Sequence, residues 1–100
     1  MLGVDNHSIT TENMTEVARC SRQTSHGNTL YSLYREHIEQ DSYLISVRND
    51  EMCEKGTLRG SLSCVVNLFE KIVSGDVPPY ILSEVIHDYA SENVDDFVNI

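Results

Sequence analysis

The chain has 100 residues, of which 40% are hydrophobic, and its 7 basic and 16 acidic side chains give a formal net charge of −9. This length and apolar content predict one domain with a single modest core that needs no disulfide or metal to hold it. The acidic balance argues against direct binding of nucleic-acid phosphates and favours a partner protein with a basic surface, such as a nucleic-acid-binding protein; an acidic charge that only keeps the domain dispersed is the alternative.

The N-terminal part of the chain is predicted to be an arm followed by a helix. The first ten residues are polar and unpatterned, which predicts a flexible arm ahead of a single globular domain over residues 11–100. Residues 11–22 predict a helix, because acidic side chains lie near its start and arginines near its end. Residues 23–28 have the composition of a loop.

A second helix is predicted over residues 29–40. Asn28 can cap its start, and Arg35 and Glu39 lie one turn apart, where they can pair weakly. Its apolar face would consist of the side chains that recur at helical spacing, namely Leu30, Leu33, Tyr34, His37 and Ile38.

The pattern then changes to a strand over residues 43–48. Tyr43, Ile45 and Val47 alternate with the intervening side chains, and the segment is rich in β-branched and aromatic residues. A strand needs a partner for its backbone, and residues 57–60 are the nearest candidate for a return strand. The alternative partner is a second copy of the chain, with residues 43–48 as the edge strand.

The most strongly patterned segment is a helix predicted over residues 61–75. Ser61 can cap its start and Gly75 can end it. Its side chains form one broad apolar stripe that neighbouring segments must cover, namely Leu62, Val65, Val66, Phe69, Ile72 and Val73.

The C-terminal part of the chain predicts two more helices. Prolines at 78 and 79 suit the first turn of a helix over residues 79–90, which has apolar side chains at helical spacing. Residues 91–100 predict a short closing helix, with Phe97 docking on the core. The predicted fold class is therefore α+β: a small, mostly helical single domain of about four helices, with one short β-hairpin or edge strand.

The charge becomes one-sided after Lys71, because no lysine or arginine follows it. The C-terminal third therefore presents carboxylates without basic partners of its own. We expect five of them to bind the partner: Glu84, Asp88, Glu92, Asp95 and Asp96.

Catalytic, metal and cofactor motifs are not found in the sequence. There is no glycine-rich phosphate loop and no nucleophile elbow, and the adjacent acids Asp95 and Asp96 would point in different directions on a helix. Three widely spaced cysteines and four scattered histidines do not have the spacing of a zinc site. The sequence predicts a non-enzymatic protein without a cofactor.

The predicted compartment is the cytoplasm. The first residues lack the basic and apolar regions of a secretory signal, and no apolar run approaches the length of a membrane span. An odd number of cysteines at wide spacing is typical of free thiols in a reducing environment.

The leading functional prediction is a small acidic protein that binds and modulates or inhibits another protein. In its strongest form the carboxylates would imitate the phosphates of DNA and block a nucleic-acid-binding site, as small phage or mobile-element inhibitors do. A dimeric accessory or adaptor protein, joined through the strand at 43–48, is an alternative.

A second alternative is a helix-turn-helix transcriptional regulator. The segment FEKIVSGDVPPYILSEVIHDYA, residues 69–90, resembles the closing half of the phage-repressor type of helix-turn-helix domain, in which a helix ends at a glycine, a proline follows and an apolar helix finishes the core. The resemblance implies base-reading positions at Ser61, Ser63 and Asn67, with Arg59 as the basic residue.

Overall fold

The protein is an antiparallel sheet with helices on one face. The computed structural model describes residues 14–92 and 97–98, with the side chains of 92, 97 and 98 excepted. Strands lie side by side in chain order, each antiparallel to the next. The elements are β1 (Met14–Thr24), β2 (Gly27–Glu36), β3 (Ser42–Arg48), β4 (Cys53–Gly60), α1 (Leu62–Ser74), a 3-10 turn (Pro79–Ile81), α2 (Leu82–Glu92) and β5 (Phe97–Val98).

The prediction of a mostly helical domain is wrong, because residues 14–22 and 29–40 of the two predicted N-terminal helices are not helical. Residues 14–24 and 27–36 are instead the two longest strands. On β2 the buried apolar side chains are Tyr31 and Leu33, which are two residues apart as on a strand, whereas Ile38 of the predicted helical face is 78% exposed. The helical spacing of these five side chains, four apolar residues and His37, was a coincidence that the sheet pairing overrides.

A two-residue turn joins β1 to β2 and explains why both segments are extended. Thr24 pairs with Gly27, whose φ of +94° is a conformation that only glycine adopts readily. The Thr24 hydroxyl accepts a hydrogen bond from the backbone N–H of His26 and donates to the Gly27 carbonyl. The turn therefore sets the register of the hairpin.

A β-bulge interrupts β1. The pairing with β2 shifts between Glu16 and Ala18, so Val17 is the extra residue. Because of this shift Glu16 and Arg19, three apart, lie on the same side of the strand, where their side chains form a 3.0 Å ion pair. Bulges and charged side chains both discourage an edge strand from pairing with another chain.

The prediction of a strand at 43–48 is confirmed, but the prediction that it lies at an edge is wrong. β3 pairs with β2 on one side and with β4 on the other. Its return strand begins at Cys53, earlier than the predicted residue 57. A dimer through the backbone of β3 would need a free edge that this strand does not have.

The core lies between the helices and one face of the sheet. The sheet contributes alternate side chains of β2, β3 and β4, and the helices contribute their inward-facing side chains. The buried set comprises Tyr31, Leu33, Tyr43, Ile45, Val47, Leu58, Val65, Leu68, Phe69, Ile72, Leu82 and Ile86.

The predicted helix at 61–75 is confirmed as α1. Ser61 caps its start by accepting a hydrogen bond from the backbone N–H of Cys64. At its end the N–H groups of Asp76 and Val77 bond to the carbonyls of Val73 and Ile72, which is a Schellman arrangement. The left-handed residue is Asp76, with a φ of +53°, and not the glycine before it.

The C-terminal predictions are confirmed in part. The helix predicted at 79–90 is present as the 3-10 turn and α2. The closing helix is wrong at residues 97–98, which form a short strand paired with Arg59 and Gly60 of β4. The side-chain docking of Phe97 and the predicted arm over residues 1–10 lie outside the part of the chain that the structure describes.

A buried hydrogen bond joins the sheet to the connection between the helices. The hydroxyl of Tyr31, a residue with no exposed surface, donates to the carbonyl of Val77 over 3.1 Å. Burial raises the pKa of this hydroxyl above its ordinary value of 10.0, and the carboxylate of Asp76 raises it further. Arg22 of β1 reinforces the same connection with a 2.9 Å hydrogen bond from its Nε to Asp76 Oδ1.

We expect Tyr31→Phe to lower the free energy of unfolding by about 1 kcal/mol, because the Val77 carbonyl loses its hydroxyl partner. Tyr34→Phe is the control, since its hydroxyl makes no hydrogen bond within the described residues, and it should change stability by less than about 0.5 kcal/mol. The folded protein favours the neutral form of the Tyr31 hydroxyl. The contribution of this hydroxyl to the free energy of unfolding is therefore complete below pH 10 and is lost as the pH rises through the raised pKa. Urea unfolding at neutral pH and above pH 10 should therefore show a steeper alkaline loss in wild type than in Tyr31→Phe; equal losses would contradict this assignment.

Candidate interaction surfaces

The outer face of α2 is the first candidate surface. Glu84 and Asp88 are exposed and lie one turn apart on the side away from the sheet, with His87 beside them. The opposite side of the helix carries Leu82 and Ile86, which are buried in the core. The amphipathic spacing that directs the apolar side chains inward therefore directs the predicted acidic side chains outward.

These carboxylates have no basic partner in the described part of the chain. Neither Glu84 nor Asp88 forms an ion pair there, and the sequence contains no lysine or arginine after Lys71. Of the other predicted binding residues, Glu92 is the last residue of α2, with its side chain undescribed, and Asp95 and Asp96 lie outside the described residues. The structure thus brings together two of the five predicted side chains.

The second candidate surface is the side of the sheet that faces away from the helices, here called the open sheet face. No described helix covers it, because the core contacts of α1 and α2 are all with the alternate set of strand side chains. Leu44 illustrates the division: it is buried but does not belong to the core cluster. By register the open sheet face carries hydroxyl side chains and an apolar strip of Leu30, Tyr34 and Leu44.

Cations are concentrated on the open sheet face. By strand alternation it carries four basic side chains, Arg19, Arg48, Lys55 and Arg59, against the two acids Glu16 and Glu36. Both acids are engaged: Glu16 pairs with Arg19, and Glu36 accepts a hydrogen bond from the hydroxyl of Ser42. This face is therefore positive in a chain whose net charge is −9.

Three of these cations form no ion pair within the described residues. Arg48 lies opposite Cys53, so Lys55 is its diagonal neighbour on β4, at about 7–8 Å between backbones. Arg59, at the far end of β4, is half-buried, and its Nε atom is buried with no hydrogen-bond acceptor among the described residues. A buried N–H without an acceptor is unfavourable, so this arginine favours a carboxylate or carbonyl ligand.

A shallow polar depression lies at one end of the open sheet face. Its volume is about 160 Å³, and its walls come from the ends of β1, β2 and β3 and from the start of the β3–β4 connection. The residues lining it are Ser21, Asn28, Thr29, Leu30, Arg48, Asn49 and Asp50. With Arg48 and Asp50 both present, the depression suits a polar group held by hydrogen bonds.

Sequence reasoning missed the open sheet face because it placed β1 and β2 on helices. A strand interpretation would have put Lys55, Thr57 and Arg59 on one side of β4, since every second residue shares a face. The apolar run LYSLY in β2 contains the same signal, with Tyr31 and Leu33 on the opposite side from Leu30 and Tyr34.

Among the described residues, no cluster of three or more histidine, cysteine or acidic side chains could hold a metal ion. The cysteines Cys20, Cys53 and Cys64 are free thiols. Neither helix in the described ranges is long and apolar enough to cross a membrane.

Comparison with known proteins found no matching family model, no matching curated protein and no matching solved structure.

Proposed function

We propose that this protein is a non-enzymatic cytoplasmic interaction protein that binds a basic surface on another protein through the outer face of α2 and thereby modulates that protein. The observation that carries the proposal is the pair Glu84 and Asp88, which are exposed on one helical face without a basic partner in the described residues. Opposite charges on a partner would remove this imbalance and steer its approach.

The placement of these acids serves the stability of the helix only in part. Glu84 lies in the first turn of α2, where the positive end of the helix dipole favours an acid. Like charges four residues apart, as at Glu84 and Asp88, destabilise a helix by roughly 0.2–0.5 kcal/mol. Glu92 ends α2, whose last turn has no basic residue, although the C-terminus of a helix favours cations. Asp88 and Glu92 therefore do not stabilise the helix, and we attribute their placement to binding.

DNA mimicry is the more specific version of this proposal. Residues four apart on a helix are separated by about 6 Å along its axis, whereas each strand of duplex DNA carries one phosphate per about 3.4 Å. This spacing of about 3.4 Å is a rise along the duplex axis and not the distance between neighbouring phosphates, because the phosphates wind around the duplex, so Glu84 and Asp88 differ from a DNA strand in the number of charges rather than in their spacing. Mimicry would require the remaining predicted acids, Glu92, Asp95 and Asp96, to extend the row.

The charge-reversal variant Glu84→Lys/Asp88→Lys tests the proposal. We expect it to bind a fluorescently labelled oligolysine peptide at least about tenfold more weakly than wild type at low salt, because two carboxylates become cations. Fluorescence anisotropy at two salt concentrations measures this, and wild-type binding should weaken as salt rises.

The matched control is Glu51→Lys/Glu54→Lys, which changes the net charge equally with two exposed acids, Glu51 in the β3–β4 connection and Glu54 near the start of β4. This variant should retain most of the binding. Equal loss of binding in both variants would show that only the net charge matters. Wild-type binding that does not change with salt would show that the contact is not electrostatic. Either result would exclude the α2 surface. Capture from a cell lysate with the same three proteins then identifies the natural partner, and competition by duplex DNA tests mimicry.

The helix-turn-helix alternative stays a prediction. Ser61, Ser63 and Asn67 are exposed, but the Asn67 side chain donates a 2.9 Å hydrogen bond to the Tyr89 hydroxyl. An electrophoretic mobility shift with duplex DNA at low salt tests it, and absence of any shift would remove it. For the dimeric adaptor, sedimentation equilibrium would detect the second copy.

A further inference from the structure

We propose that the open sheet face is a second docking surface, and that its partner is a polypeptide segment presenting carboxylates beside apolar side chains. This surface lies on the opposite layer of the molecule from α2 and has the opposite charge. The inference does not depend on the function proposed for α2, because no residue is shared between the two surfaces.

The charge distribution supports the carboxylates of the partner. Arg48, Lys55 and Arg59 are without ion pairs in the described residues, and they follow the β3–β4 half of the sheet. Of the two acids on the same face, Glu16 pairs with Arg19, and Glu36 accepts a hydrogen bond from Ser42 and forms no ion pair with these three cations within the described residues. The chain has 16 acidic side chains, yet three cations without ion pairs lie together on this face. They form a local positive surface that attracts an acidic ligand.

Arg59 provides an independent observation. Its Nε is buried from solvent and has no acceptor among the described residues, although the rest of the side chain is only half-buried. A guanidinium offers donors in a fixed fork that matches a carboxylate. A carboxylate arriving at this end of β4 would bind the accessible part of this side chain, and it would reach the buried Nε only after the side chain moved.

The apolar strip distinguishes a polypeptide from a nucleic acid. Tyr34 lies opposite Leu44 at the centre of the open sheet face, and Leu30 lies opposite Arg48. Tyr34 is the face's one aromatic side chain among the described residues, so successive bases would have no series of stacking platforms. Three cations suit a few carboxylates, whereas a nucleic-acid backbone would bring many charges close to the acidic remainder of the chain.

The experiment measures binding of a fluorescein-labelled peptide of alternating glutamate and phenylalanine by anisotropy at low salt. We expect saturable binding to wild type and at least about a tenfold loss in Arg48→Glu/Lys55→Glu, both exposed positions on the open sheet face. Lys71→Glu is the control, because it reverses an exposed cation on the helical layer and should bind the peptide nearly as wild type does. Unchanged circular dichroism and thermal midpoint in each variant exclude loss of fold as the cause.

Three outcomes would overturn the proposal. The first is absence of saturable peptide binding to wild type, and the second is an equal loss of peptide binding in Lys71→Glu. The third is an oligothymidylate that binds more tightly and displaces the peptide, which would make the face a nucleic-acid surface instead. The variant Glu84→Lys/Asp88→Lys should still bind the peptide, so failure of the α2 proposal and failure of this one are told apart.

Discussion

Leu33→Ala is expected to lower the free energy of unfolding by about 2–5 kcal/mol, whereas Ile38→Ala should change it by less than about 0.5 kcal/mol. Leu33 has no exposed surface and lies in the core between β2 and the helices. Ile38, in the turn after β2, is 78% exposed. Equilibrium unfolding in urea measures both.

This pair distinguishes the sheet from the helix that the sequence favours. A helix over residues 29–40 would bury Leu33 and Ile38 on the same face, and both substitutions would then be costly. In the sheet only Leu33 contributes to the core. A loss above about 2 kcal/mol for Ile38→Ala would contradict the strand assignment of β2.

Gly56→Val is expected to lower the free energy of unfolding by about 1–3 kcal/mol, because α2 packs directly on the backbone of β4 there. A Cβ atom on Gly56 would lie 2.5 Å from Cδ1 of Ile86, which is closer than any ordinary contact. Ile86 is itself buried in the core and has little room to move. Thr57→Val, on the other side of the same strand, is the control and should be nearly neutral.

A double-mutant cycle isolates this contact. Ile86→Val removes the Cδ1 atom at a cost of about 0.5–1.5 kcal/mol. In that background Gly56→Ala should become neutral or stabilising, because the clash is gone and alanine restricts the unfolded chain. If Gly56→Ala were equally costly in both backgrounds, the close approach of α2 to β4 would be wrong.

Local signals were sufficient where one element carries its own complete pattern. α1 has a side-chain cap at Ser61 and a helical apolar stripe that includes Val65, Phe69 and Ile72, so its limits could be predicted closely. β3 has β-branched and aromatic alternation within seven residues and was also predicted. Both patterns can be read within one short segment.

The strands β1 and β2 could not be predicted in that way, because their partner decides their conformation. Isolated residues 29–38 match a helical stripe through Leu30, Leu33 and Ile38 as well as a strand pattern through Tyr31 and Leu33. The decisive feature is the two-residue turn between Thr24 and Gly27. The positive φ of Gly27 allows β2 to run back along β1. β1 has a weak pattern of its own, and its bulge at Val17 interrupts the alternation.

The difference between a pattern within one segment and a grouping that depends on strand pairing also explains which interaction residues could be predicted. Glu84 and Asp88 lie on a correctly predicted helix, so their shared exposed face followed from spacing alone. The cations of the open sheet face come from different strands, and Arg48 and Lys55 become neighbours only when β3 and β4 pair. Their grouping depends on the register of the sheet, which no single segment contains.

The two charged faces lie on opposite layers of one small domain. α2 presents unpaired carboxylates on the helical side, and the open sheet face presents unpaired cations on the other. Two partners of opposite charge could therefore bind at the same time without competing for the same residues.

An amide chemical-shift titration of isotope-labelled protein, first with the oligolysine peptide and then with the glutamate–phenylalanine peptide, tests this arrangement most directly. We expect shifts around Glu84 and Asp88 with oligolysine, and around Arg48 and Lys55 with the acidic peptide. Shifts at the same residues with both peptides, or shifts spread evenly over all charged loops, would contradict two separate interaction surfaces.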